Sequence, residues 1–158
     1  MRTRRLLFVC SGNTCRSPMA EVIARAVAAQ HGFDFEFRSS GVMARDGSPA
    51  SDLALSVAAA HGLDLSGHQA RGLAPDDLEW ADLVLGMTYT HVDTIRRQTP
   101  GIPTLPITGF LSHDHPGAGL GVDDPYGGTI EDYEKVWSTL EEALEAMLKR
   151  LARTDPDD

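Results

Sequence analysis

Leu6-Leu7-Phe8-Val9 is an uninterrupted apolar run that passes, with no spacer, into Cys10-Ser11-Gly12-Asn13-Thr14-Cys15-Arg16-Ser17 and then into a helix-forming stretch. A short run that is apolar at every position reads as a strand buried on both faces, and such strands belong to parallel sheets covered by helices. Ser17 at an N-cap with Pro18 at the first helical position sets a helix start. Met19, Val22, Ile23, Ala26 and Val27 carry the helix to about Gln30, and Gly32 stops it.

The same alternation continues along the chain. Phe35 to Arg38 alternates like a strand, Ser39 to Ser48 reads as a loop, and Pro49 to His61 is an Ala-rich helix closed by Gly62. A helical turn at Asp76–Trp80 precedes a buried strand at Ala81–Met87 and a helix at Tyr89–Gln98. Ile102–Ile107 reads as a fourth strand, which Pro103 and Pro106 confine to a sheet edge. Residues 112–128 form a long loop rich in Gly, His, Asp and Pro, a length that favours function or disorder. Thr129 and Asp132 then open a capping-box-like start. Tyr133, Val136, Trp137, Leu140, Leu144, Met147, Leu148 and Leu151 line one helical face. Trp80 and Trp137 suit either a core or an interface.

Strands alternating with helices predict an α/β three-layer sandwich. Its four-stranded parallel sheet carries helices on both faces, with ligands bound at the carboxyl ends of the strands. No repeat or linker divides residues 1–153, which read as one domain, and 154–158 read as a frayed tail.

The 158 residues carry a formal net charge of −9, which argues against nucleic acid as a partner but leaves room for a locally positive site. No apolar run approaches the ~18 residues that cross a bilayer, so no membrane partner is expected. The basic start MRTRR is followed by too short an apolar stretch for a signal peptide. Two cysteines five positions apart make no disulfide framework. The expected home is the cytoplasm.

Eight residues joining a strand end to a helix start can curl so that their backbone N–H groups converge on an anion. Gly12 and Asn13 are the types that tolerate the left-handed backbone such a curl demands. That nest favours a thiolate at Cys10, facing the phosphorus of a bound phosphoryl group. Ser17 can donate a further hydrogen bond to the sulfur. Arg16 offers a planar fork that matches two phosphate oxygens.

CSGNTCRSPMAE resembles the signature of the low-molecular-weight protein phosphatases, and HGLDLSGHQAR at 61–71, ADLVLGM at 81–87 and DDPYGG at 123–128 extend the resemblance over nearly the whole chain. The resemblance implies a phosphocysteine mechanism on Cys10, with Asp124 rather than Asp123 as general acid and then base, and with no cofactor or metal. His113, Asp114 and His115 read as a solvated loop. Tyr126 matches a wall of the substrate cleft. His68 matches a histidine that hydrogen-bonds the loop asparagine, here Asn13, with Ser39 or Ser40 joining the network. Cys15 matches a partner for a reversible disulfide with Cys10.

Phosphorylated proteins are the implied substrates. Thr14, where tyrosine-directed members carry an aliphatic residue, together with LVLGMT and DPYGG, resembles the protein-arginine phosphatase branch, so phosphoarginine is favoured over phosphotyrosine. An arsenate reductase needs relay cysteines beyond Cys15. A phosphoryl carrier has no use for Asp124. A binding module that does not cut has no need of Cys10.

Overall fold

The computed structural model describes residues 3–153, so the expected tail at 154–158 lies outside the described residues. In chain order the elements are β1 (Arg5–Cys10), α1 (Arg16–His31), β2 (Glu36–Gly41), α2 (Asp52–Ala60), α3 (Pro75–Trp80), β3 (Leu83–Gly86), α4 (Tyr89–Gln98), β4 (Thr104–Pro106), a 3-10 turn (Ile107–Phe110) and α5 (Ile130–Arg153). The sheet is parallel throughout, in the order β2-β1-β3-β4.

β1 is apolar at successive positions because both of its faces are covered. Leu6 and Phe8 pack among side chains of α1, α2 and α5, whereas Leu7 and Val9 pack with Leu78 of α3 and Ile95 of α4. Helices on both faces make the three layers expected. β4 is an edge strand and runs only over Thr104–Pro106, because Ile107–Phe110 turns into the 3-10 helix. The apolar stripe of α5 is buried at every expected position except Leu151, which is half-buried, and Trp137 is core at 1% exposure. Its start has the reciprocal bonds of a capping box, Thr129 N–H to Asp132 and Asp132 N–H to Thr129.

Of the boundaries that differ from expectation, three matter to the site. α1 begins at Arg16, with Cys15 at the N-cap, so Ser17 and Pro18 lie inside the helix. Ser17 is freed from capping because its hydroxyl turns back into the loop. β2 continues through Ser39, Ser40 and Gly41, where a loop was expected, because parallel pairing with β1 persists to Cys10. α2 starts at Asp52 rather than Pro49; Ser51 caps it by accepting from the Ala54 N–H.

Candidate active site

β1, β2 and β3 end on the same edge of the sheet, and the loop 10–17 curls over that edge. Its turn is made at Asn13, which has φ 55° and is the one non-glycine residue with a positive φ among the described residues. Gly12 does not share the left-handed conformation, contrary to expectation. It lines the cavity instead. Gly41 is required for another reason: a Cβ there would run into the Ser11 carbonyl and lie 2.9 Å from the Asn13 nitrogen. The end of β2 thus presses directly against the curl.

Asn13 is fully buried and tied on all sides. Its Nδ2 donates to Ser17 Oγ at 2.7 Å and to Ser39 Oγ at 3.0 Å, and its Oδ1 accepts from the Arg71 N–H at 2.9 Å. His68 Nε2 donates to the Asn13 backbone carbonyl at 2.7 Å. His68 and Ser39 both bond to Asn13, the histidine to its main chain and the serine to its side chain. The Ser40 hydroxyl does not join: it is buried without a partner, and only the Ser40 carbonyl takes part, 3.4 Å from Ser17 Oγ.

Behind this shell lies a link that the sequence did not betray. Asp77 of α3, fully buried, accepts from Arg71 at 2.7 Å and Arg38 at 3.4 Å, and Arg38 stacks over the Trp80 ring at 4.3 Å. The Arg71 side chain is anchored to Asp77 while its amide holds Asn13, so the left-handed turn is braced from the far face of the sheet.

The Cys10 sulfur lies 2.9 Å from Ser17 Oγ and 3.3 Å from the Asn13 N–H. The sulfur is thus fixed between the Ser17 hydroxyl and the loop amide, on the wall of the cavity. Arg16 is 5% exposed; one guanidinium nitrogen donates to the Val122 carbonyl at 2.9 Å and the other lies 3.7 Å from Asp124 Oδ2. Asp124 reaches this place because Val122 is docked on the end of β3, its N–H bonded to Met87 O at 2.7 Å. The Tyr126 N–H donates to Asp124 Oδ1, and Asp123 makes no such approach to Arg16 among the contacts seen.

These groups surround a cavity of about 660 Å³. Cys10, Ser11, Thr14 and Arg16 lie on its wall, with Asp124, Asp52 and Arg45 around them. Met43 and Tyr126, 78% and 72% exposed, flank the mouth. Neither Met43, Arg45 nor Asp52 was marked by any sequence motif, since they become neighbours only when the 42–51 segment folds over the mouth.

Cys15 sits to one side, buried, with its sulfur 3.3 Å from both Ser51 Oγ and the Tyr133 hydroxyl. Tyr133 was read as part of an apolar stripe; its ring is, but its hydroxyl serves this cluster. Burial, then the contact with Cys15, pushes the Tyr133 hydroxyl up to about 12, so it remains a donor at neutral pH.

His91 was also missed. It is 4% exposed at the start of α4, and its Nε2 lies 3.0 Å from Ser11 Oγ. Thr88-x-x-His91 at the end of a strand is a capping-box pattern, and the Thr88 N–H donates to His91 Nδ1 at 3.1 Å. That spacing was the available signal. Burial and the nearby Arg16 guanidinium lower the imidazole to about 4, against a smaller opposing effect of Asp124. Gly86 permits the approach, since a Cβ there would stand 2.8 Å from Val92 Cγ2 and 3.2 Å from His91 Cβ.

Residues 5–156 match the low molecular weight phosphotyrosine protein phosphatase family. A protein-arginine phosphatase of Bacillus subtilis is 35% identical over 148 residues, 94% of this chain and 97% of that protein. The low molecular weight protein-tyrosine phosphatase PtpB of Staphylococcus aureus is 34% identical over 145 residues, 92% and 95% of the two chains. A solved cysteine-to-serine mutant of the YwlE arginine phosphatase, carrying a phosphorylated active-site serine, superposes with a TM-score of 0.87 at 32% identity, over 97% of this chain and 98% of that one. With a match of that extent in sequence and fold, the chain belongs to the low molecular weight phosphotyrosine protein phosphatase family.

Proposed function

We propose that this chain removes phosphate from protein side chains, phosphoarginine in preference, through a covalent phosphocysteine on Cys10. The observation that carries the reading is the convergence of Ser17 and the Asn13 amide on the Cys10 sulfur, at a cavity wall shared with Arg16 and Asp124. The thiolate attacks phosphorus while the Arg16 fork holds two of its oxygens. Asp124 gives its proton to the departing nitrogen or oxygen as that bond breaks. The resulting carboxylate takes a proton from water, which attacks the phosphocysteine, releases phosphate and restores the thiolate.

Thr14 lies on the cavity wall and offers a hydroxyl where an aliphatic side chain would pack on a phenyl ring. The relatives divide between arginine and tyrosine phosphatases, so phosphotyrosine is the second reading. Paired turnover on phosphoarginine and phosphotyrosine peptides separates the two. The parent should prefer phosphoarginine, and Thr14→Ile should shift the ratio toward phosphotyrosine by roughly tenfold. An unchanged ratio removes Thr14 from the argument, and a parent preference for phosphotyrosine reverses the assignment.

No helix among the described residues is long and apolar enough to cross a membrane. We place the protein in the cytoplasm, where a reducing milieu keeps Cys10 usable. Cys15 is the proposed partner for a reversible disulfide that shields Cys10 from overoxidation. Inactivation by peroxide should then be reversed by dithiothreitol in the parent but not in Cys15→Ser.

A further inference from the structure

The hydrogen bonds around His91 fix where its protons lie. The Thr88 N–H can only donate, and it points at Nδ1 from 3.1 Å, with the Thr88 hydroxyl at 2.9 Å. Nδ1 therefore offers a lone pair, and the neutral ring carries its hydrogen on Nε2. Nε2 in turn faces Ser11 Oγ at 3.0 Å, so the serine oxygen accepts. A hydroxyl whose oxygen is engaged in this way keeps its own hydrogen for another acceptor. Among the described residues the Ser11 hydroxyl makes no other hydrogen bond, and Ser11 lines the cavity beside Cys10 and Arg16.

We propose that the Ser11 hydroxyl donates a hydrogen bond to the phosphoryl group bound in this cavity, and that His91 is the positioning residue that turns the hydroxyl hydrogen toward it. The inference rests on the phosphatase reading above and extends it to a side-chain donor beside the ring of backbone amides. The role demands a neutral imidazole, because a proton on Nδ1 would confront the Thr88 N–H. The charged groups that bear on the ring are Arg16, which opposes a second proton, and Asp124, which weakly favours one. Burial opposes a second proton most strongly and Arg16 adds to it, so the donor direction holds across the working pH of a cytoplasmic enzyme.

The test uses inorganic phosphate and orthovanadate as competitive inhibitors of p-nitrophenyl phosphate hydrolysis by the full chain. Ser11→Ala should weaken both inhibitors and lower kcat/KM by roughly tenfold each, the scale of one hydrogen bond to a charged group. Ser11→Thr, which keeps the hydroxyl, should stay within about twofold of the parent by the same scale. His91→Phe should match Ser11→Ala, and the double variant should be no worse than Ser11→Ala alone. Inhibition constants within about twofold of the parent in Ser11→Ala would overturn the proposal, as would a double variant showing the summed losses. Should His91→Phe fail to fold, the Ser11→Ala and Ser11→Thr pair decides by itself. Trapping of the phosphoenzyme keeps the two readings apart. A parent that carries phosphate on Cys10, with Ser11→Ala binding oxyanions normally, sinks this inference alone. A parent that never carries it sinks the proposed mechanism, while the inhibition constants still report on Ser11.

Discussion

The loop at 10–17 and the segment at 123–126 face each other across one cavity, and they are built by opposite means. Asn13 alone has five hydrogen-bonded connections, to Cys10, Ser17, Ser39, Arg71 and His68, and it is wholly buried. Asp124 has a half-exposed side chain, one bond from the Tyr126 amide and a 3.7 Å approach to Arg16. Chemistry at phosphorus needs its nucleophile and oxyanion donors in place before the reaction. In the proposed mechanism the Asp124 carboxyl serves first a leaving group and then a water, and freedom to move suits both tasks. One side of the cavity is preorganised and the other is adjustable.

That contrast can be broken or sharpened by mutation. Cys10→Ser should abolish steady-state phosphate release, by at least about 10⁴-fold, with the thermal midpoint nearly unchanged. Residual turnover near the parent would refute the assignment of the nucleophile. Asp124→Asn should lower kcat by roughly 10²–10³-fold and remove one limb of the pH–rate profile. If the adjustable side holds little structure, its midpoint in urea should stay where the parent's is; a marked loss of stability would show the two sides to be alike. Asn13→Ala should do the reverse, costing about 4 kcal/mol in urea unfolding, because three side-chain bonds are lost and alanine resists the left-handed turn. A loss below about 1 kcal/mol would mean the loop is not held from behind as described.

The smallest expected effect is on the pH dependence of stability. His91 has its folded value lowered to about 4 from an ordinary 6.5, so the unfolded chain binds the extra proton first as pH falls. The folded state is then disfavoured progressively from pH 6.5 to about 4, with a contribution of about 3 kcal/mol at the acid end. Unfolding measured across that window should show the loss in the parent, and His91→Phe should flatten it.

Much of this was legible in the sequence. The continuous apolar run at 6–9 could only be a strand covered on both faces, and the C-x5-R-S run had to follow it, so the cradle and its contents were readable. The prolines at 103 and 106 marked the edge strand correctly. Three things were not legible. Ser17 looked like a cap, because Ser-Pro is a strong helix-start signal; the demand of the Cys10 sulfur overrode it. Ser39 and Ser40 looked like loop because polar residues rarely continue a buried strand, but they pair with Phe8 and Val9 as β2 follows β1 along its whole length. Asp77, Tyr133, Ser51 and His91 are separated from the loop by tens of residues, so only the folded sheet could bring their side chains to it.

Val122 and Pro125, both buried, bracket Asp123 and Asp124. The Val122 amide and carbonyl are each engaged, by Met87 and Arg16, and the Pro125 carbonyl accepts from Gly128 at 2.8 Å. Only two residues therefore form the lever that carries the carboxyl group, too short an arm to sweep through much solvent. Turnover governed by so small a swing should be nearly indifferent to added sucrose or glycerol, because viscous drag has almost nothing to act on.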